Sequence, residues 1–512
     1  MGERIAGAAA QLPALAAAHL LLSGAALLLA LIVGLPLAVA SARAPRLGRV
    51  ALAFASLVQT IPGLALLALF YPLLLGLSAL VGGGISALGF LPSLLALALY
   101  ALLPILRNGI TGLTGIDPAI LEAADGIGMT RGQRLRLVEA PLAAPVFMAG
   151  IRTAAVWTIG AATLSTPVGQ TSLGNYIFSG LQTENWVFVL FGCGASAALA
   201  LVVDQLLGLI EAGAERRDLR RIGVGLAGLA LGAAVAVAPM VRAAPATYVV
   251  GAKNFSEQFI LASMMQTRLE RAGAQVQRKD GLGSAIAFRA LAAGDIDVYV
   301  DYSGTLWTNV MGRKDSPPRA AMLAEITRFM RDRYGVGVLG SLGFENAYAL
   351  AMKADRAGAL GAASLSDLAV RAPQLTLGGD LEFLSRPEWT AIRTAYGLRF
   401  RTQKSFNPTF MYRAIEGGEA DVISAFSSDG RIAADHLVVL SDPKHAIPAY
   451  DAVVLISPRR VHDARLKRAL QPLLGRIAVE RMREANLMVD RDQDKRSPEE
   501  AGRWLAAASG LQ

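Results

Sequence analysis

The sequence predicts a multi-domain chain: an all-α transmembrane half of about six helices, followed by an α/β half of two lobes. Three observations carry this. Of 512 residues, 54% are hydrophobic and only 17% charged, against about 25% charged in soluble domains, so part of the chain lives in lipid. Before residue 241 the apolar residues gather into six long runs. After it, charged residues spread evenly and strand and helix periodicities alternate.

The runs are roughly 14–41, 50–80, 88–106, 142–164, 187–210 and 222–241. Each is near or above the ~20 residues that cross a bilayer. The second contains Pro62 and Pro72 and is expected to be broken or tilted. No Lys occurs before residue 241, and the arginines cluster. Arg43, Arg46 and Arg49 follow the first run. Arg107, Arg131, Arg134 and Arg136 fall between the third and fourth, and Arg216, Arg217, Arg220 and Arg221 between the fifth and sixth. The alternate loops, about 81–87 and 165–186, carry no Lys or Arg. Positive loops stay cytoplasmic, which puts the N-terminus outside and everything after the sixth run outside as well. That run resembles a signal peptide; an uncleaved anchor is the favoured reading over a cleaved signal. The expected divisions are a membrane domain at 1–221, a sixth span and linker at 222–246, and an extracytoplasmic domain at 247–512.

Several function classes fall away. Cys193 is the sole cysteine and the four His are scattered, so neither a disulfide framework nor a metal site is expected. The net charge of +9 sits in clusters between apolar runs, a membrane-topology pattern and not a nucleic-acid surface. No Gly-x-x-x-x-Gly-Lys-Ser/Thr loop is present to cradle phosphate. No cofactor loop and no nucleophile–base constellation is found, so no catalytic residues are expected. Arg152 falls inside a span, where a charge marks a pathway or gating hypothesis or a snorkelling side chain.

The longest cytoplasmic loop reads Glu122-Ala123-Ala124-Asp125-Gly126-Ile127-Gly128, then Val138-Glu139-Ala140-Pro141. This spacing resembles the permease signature of bacterial ABC importers with a MetI-like membrane fold. The resemblance implies a helix–turn–helix that docks on a separate ATP-binding subunit through Glu122, Ala123, Ala124 and Gly128. It also implies a permease homodimer with two ATPases in the bacterial inner membrane. The residue chemistry agrees: the alanines permit close approach, the glycines permit a sharp turn, and the nearby arginines can pair with acidic groups of a partner. The stretch from Ala149 to Ile177 resembles permeases for glycine betaine, choline and carnitine.

Beyond residue 247, Lys253-Asn254-Phe255-Ser256-Glu257-Gln258, Asp301-Tyr302-Ser303-Gly304-Thr305, Gly343-Phe344-Glu345-Asn346-Ala347-Tyr348, Glu382-Phe383-Leu384-Ser385-Arg386 and Ser424-Ala425-Phe426-Ser427-Ser428-Asp429 resemble the receptors of osmoprotectant importers. These are periplasmic-binding proteins of type II, with the ligand crevice at the strand ends. The resemblance implies an aromatic cage at Tyr302, Tyr348, Phe426 and Tyr450, and carboxylate partners at Lys253, Thr305 and Arg386. Phe426 stands where the family has Tyr, and Ser303 where it has Thr. A quaternary ammonium donates no hydrogen bond, so aromatic faces suit it, at about 0.5–2 kcal/mol per ring. Arg386 can grip a carboxylate with two parallel bonds, whereas Lys253 cannot. Asp429 and Asp380 are weaker candidates for polar contact, and Trp307 and Trp389 are expected to be packing residues.

The function implied is uptake of a quaternary ammonium solute by a permease fused to its receptor. Fused importers of ergothioneine, a trimethylated histidine thione, share this architecture and are the alternative within the class. A transmembrane solute sensor is the alternative outside it, disfavoured because a sensor has no use for an ATPase dock.

Overall fold

The computed structural model describes residues 2–82, 85–182, 185–242, 247–313, 315–406, 408–491 and 493–511. The chain forms two compact units, one built on residues 1–180 and 186–243, the other on residues 181–185 and 244–512. Residues 243–246 of the expected linker lie outside the described residues.

The first unit is all helix. Its elements are α1 (Gly2–Arg43), α2 (Pro45–Thr60), α3 (Gly63–Leu80), α4 (Phe90–Thr114), α5 (Pro118–Gly126), α6 (Arg131–Arg134), α7 (Ala140–Ala162), α8 (Gly174–Gln182), α9 (Trp186–Arg216) and α10 (Leu219–Arg242). Among the described residues, six helices are long and apolar enough to cross a membrane, as the composition predicts. The second run of 50–80, expected to be broken or tilted, is two helices parted at Ile61-Pro62. Pro62 has no N–H to donate, and Ile61 before it takes an extended ψ of 125°. Pro72 leaves α3 unbroken. Arg107, expected in a loop, lies inside α4, which runs eight residues past the predicted end at 106.

α4 is the central helix of this unit, packed on α1, α2, α3 and α7. Lipid gives no hydrophobic drive between spans, so close backbone approach matters. Gly109 provides it: a Cβ there would come within 2.7 Å of Ala38 on α1 and of Phe147 on α7. Gly112 meets Val146 and Ala143 in the same way.

The second unit holds two five-stranded sheets. The first contains β1 (Tyr248–Lys253), β2 (Val276–Leu282), β3 (Val298–Tyr302), β4 (Gly337–Glu345) and β10 (Asp451–Ile456), in the order β2-β1-β3-β10-β4. The second contains β5 (Tyr348–Lys353), β6 (Thr376–Gly379), β7 (Thr402–Ser405), β8 (Val422–Phe426) and β9 (Leu437–Val439), in the order β7-β6-β8-β5-β9. In each sheet the early βαβ pairs are parallel and the strand arriving from the other lobe is antiparallel to its neighbours. The chain therefore crosses between lobes twice, from β4 into β5 and from β9 into β10. The inner strands of both sheets are buried at nearly every residue, with β3 and β10 buried throughout, as sheets covered on both faces require. The edge strands β2, β4, β7 and β9 are partly or wholly exposed. Helix α11 (Ser256–Arg271) covers β1, and its N-terminal half is buried throughout.

Candidate ligand-binding site

Strand register brings the site residues together. Tyr302 ends β3, and Ala452, two residues after Tyr450, is its antiparallel partner on β10. Tyr348 opens β5 directly opposite Phe426, the last residue of β8. The four rings thus stand at the strand ends where the two lobes face one another, around a cavity of about 470 Å³. All seven sequence-predicted ligand residues line it: Lys253, Tyr302, Thr305, Tyr348, Arg386, Phe426 and Tyr450.

The rings form a chain. Tyr348 meets Tyr450 edge-on at 5.7 Å between centroids and Phe426 at 4.9 Å. Phe255 continues it, parallel to Phe426 at 6.1 Å and stacked on Tyr302 at 6.2 Å. Phe255 is a wall residue that motif matching missed. It sits in the Lys253–Gln258 motif, and the available signal was its place just past the end of β1. Burial pushes the hydroxyls of Tyr302, Tyr348 and Tyr450 well above the usual phenol range, so all three stay protonated.

The basic groups are already engaged. Lys253 is 2% exposed and forms a buried ion pair with Asp301. Arg386 reaches Glu382 at 2.6 Å and Glu388 at 3.4 Å. Each also lies over one of these rings: Lys253 Nζ is 5.3 Å from the Tyr302 centroid, and the Arg386 guanidinium 5.0 Å from that of Tyr348. Burial opposes the Arg386 charge, but the surrounding phenols and carboxylates outweigh it, so its pKa rises. Burial also pushes Glu382 up, yet Arg386 and Lys253 more than offset it, and Glu382 sits below the ordinary carboxylate range. Three buried polar atoms of cavity-lining residues have no partner, Arg386 Nε, Asp380 Oδ2 and Asn346 Oδ1. The first is a donor that a ligand carboxylate can meet. The second is an acceptor, on a carboxyl whose other oxygen caps the helix Leu381–Ser385 by taking the Phe383 N–H at 2.9 Å. Burial pushes Asp380 up.

The weaker candidates separate. Asp380 lines this cavity. Asp429 does not; it lines a neighbouring space of about 70 Å³ that also touches Phe255, Glu257, Asn346, Phe426, Asn486 and Asp490. Trp307 is fully buried and donates to the Asp315 carbonyl at 2.7 Å. Trp389 packs between Phe383 and Phe400. Both are packing residues.

In the helical unit, Asp117 caps α5 by accepting from the Ala119 N–H at 2.9 Å. Gly128, at φ +81°, makes the turn that follows, a conformation costly for other residues. Thr130 then starts α6 with a capping box. Ala124 is buried, while Glu122, Ala123 and Gly128 are exposed. Ile120, Ile127 and Leu137 add apolar surface around them. Arg134, expected to be available to a partner, instead pairs within the chain with Asp125 at 2.6 Å and Glu139 at 2.7 Å. Arg152 is likewise engaged: it takes Asp204 through two bonds of 2.9 Å and Glu211 at 2.7 Å, both on α9. Gly208 leaves room for its guanidinium between them.

A helical membrane unit with this turn, joined to a two-lobed receptor with a central crevice, is the class of solute importers that work with a receptor. Residues 246–507 match the substrate binding domain of ABC-type glycine betaine transport systems. Residues 26–216 match the inner membrane component of binding-protein-dependent transport systems. The chain belongs to this family of ABC importers, with permease and receptor in one polypeptide. It is 28% identical over 451 residues to the ergothioneine transport permease/ergothioneine binding protein EgtU of Helicobacter pylori, spanning 85% of this chain and 79% of that one. It is 41% identical over 193 residues to the glycine betaine/carnitine/choline permease OpuCB of Bacillus subtilis, spanning 38% of this chain and 83% of that one. A crystal structure of a glycine betaine/carnitine/choline ABC transporter aligns at 26% identity and TM-score 0.45, covering 52% of this chain and 99% of that chain. The ABC family implies an ATPase partner.

Proposed function

We propose that the chain imports a small trimethylammonium solute into a bacterial cell, with its receptor half on the outer side of the inner membrane. Two copies form the channel, and a separate ATPase seats on the loop carrying Glu122, Ala123, Ala124 and Gly128. The observation that carries the reading is the convergence of Tyr302, Tyr348, Phe426 and Tyr450 with Arg386, Lys253 and Thr305 on one cavity. The aromatic faces take the ammonium, whose attraction is electrostatic and needs no hydrogen bond. Arg386 Nε, buried and unpartnered, takes the carboxylate. Tethering the receptor to the channel raises its effective concentration there.

A second reading concerns which solute. Glycine betaine has no N–H or O–H, so it cannot meet the unpartnered Asp380 Oδ2, and a buried acceptor left unmade costs about 1–3 kcal/mol. An imidazole-thione ring carries donors that can. With the EgtU relative spanning both halves, this favours ergothioneine over betaine within the same cage. Calorimetric titration of the purified full chain with glycine betaine, choline, carnitine and ergothioneine tests both readings. Binding of at least one supports the cage, and ergothioneine binding more tightly than betaine supports the second reading. Binding of none removes the proposal.

A further inference from the structure

Two of the cage rings are connected to buried carboxylates behind them. The Tyr302 hydroxyl donates to Glu257 Oε1 at 2.6 Å, while Gln258 Nε2 donates to the same hydroxyl at 3.0 Å. The phenol proton is therefore committed to Glu257. The Tyr450 hydroxyl is committed in the same way to Glu388.

The two carboxylates differ in what surrounds them. Glu388 also accepts from Thr308 at 2.7 Å and from the Arg386 guanidinium at 3.4 Å, so a cation neutralises it. Glu257 is 2% exposed, and its partners are neutral donors. Asn346 Nδ2 reaches Oε1 at 3.0 Å, Asn486 Nδ2 reaches Oε2 at 2.9 Å, and the Ser428 hydroxyl also bonds it. Burial pushes Glu257 above the ordinary carboxylate range, and the donors on both its oxygens oppose that rise and suit the ionised form. Lys253 stands near the Tyr302 ring but is held by Asp301, and that pair cancels locally. Glu257 is left as a buried negative charge, one hydroxyl away from an aromatic face of the cavity.

A hydroxyl that donates to an anion is polarised, and in a low-dielectric interior such chains reinforce one another. Electron density moves toward the oxygen and its ring, and the ring face becomes more attractive to a cation. The charge itself also acts across the ring, because little water screens it there. We infer that Glu257 is a positioning and specificity residue of the ligand site: through the Tyr302 hydroxyl it makes the cage prefer a cation over a neutral group of the same shape. Glu388 acts on Tyr450 in the same sense but more weakly, since Arg386 offsets it. This rests on the trimethylammonium reading above and names the source of its selectivity.

The test uses the purified full chain with two probes of equal shape, choline and 3,3-dimethylbutan-1-ol, in which carbon replaces the charged nitrogen. Both are titrated by calorimetry into wild type, Glu257→Gln, Glu388→Gln and Tyr302→Phe. Tyr302→Phe keeps the ring and removes the relay, which guards against misfolding of the carboxylate variants. The expected result is a choline preference in wild type that falls about five- to tenfold in Glu257→Gln and Tyr302→Phe, and less in Glu388→Gln, with affinity for the alcohol nearly unchanged. An unchanged ratio, or parallel loss of both probes in every variant, overturns the inference while leaving the cage intact. Wild type that binds neither probe overturns this inference, and wild type that binds both equally overturns the cage reading as well.

Discussion

Tyr348 and Phe426 face one another across the β5–β8 pair, in register and with ring centroids 4.9 Å apart. One antiparallel pairing thus sets two walls of the cavity. Phe426 supplies a π face without a phenol, so its contribution is the ring alone. Phe426→Ala is expected to weaken binding of the trimethylammonium solute about tenfold. Phe426→Tyr should stay within about threefold of wild type. Calorimetry on the two variants checks both values.

Arg386 is buried, is paired with Glu382 and Glu388, and has Nε free for a ligand. Arg386→Lys keeps the charge but loses the planar fork. Affinity for a carboxylate-bearing solute is expected to fall about tenfold or more, while choline, which has no carboxylate, changes little. A competition series with choline and carnitine reads the split.

Asp490 is pushed up to about 7, first by burial and then by Asp429, with Arg431 opposing. An unfolded Asp titrates near 3.9. Between about pH 4 and 7 the native chain keeps a proton that the unfolded chain has lost. The contribution to stability is therefore present below pH 4 and is lost as pH rises through 7. Asp490→Asn should stabilise the receptor unit at pH 8 by roughly 1–3 kcal/mol, and the gain should vanish toward pH 4. Thermal unfolding of the full chain across pH measures it.

Gly128 holds the turn after α5 at φ +81°. Gly128→Val forces a β-branched residue into that region at a cost of about 1–2 kcal/mol and reshapes the surface beside Glu122. ATP-driven uptake should fall at least tenfold, with solute binding to the receptor half unchanged. Transport assays run beside equilibrium binding separate the two.

Arginine placement and hydropathy carry the membrane half, because the spans are chosen by transfer out of water, which composition reports directly. The helix ends were less legible. α4 runs past the apolar run to Thr114 and takes Arg107 with it, since a helix continues while its backbone bonds are satisfied, whatever its hydropathy. The break at Ile61-Pro62 was readable from proline chemistry, and which proline would break the run was not. In the receptor half, the seven candidate ligand residues, all but Tyr450 inside the quoted motifs, converge on one cavity. Their partners were not legible. That Lys253 would pair with Asp301, and Arg386 with Glu382 and Glu388, depends on the fold's three-dimensional packing. Phe255 was missed for a related reason: it gains its neighbours Tyr302 and Phe426 only when the two sheets face each other.

A crystal structure of the chain with its bound solute tests the central claim most directly. The account predicts the trimethylammonium nitrogen within about 6 Å of the Tyr348, Phe426 and Tyr450 ring centroids, with the carboxylate on Arg386. A solute bound outside this cavity, or turned so that its carboxylate meets the rings, would contradict it.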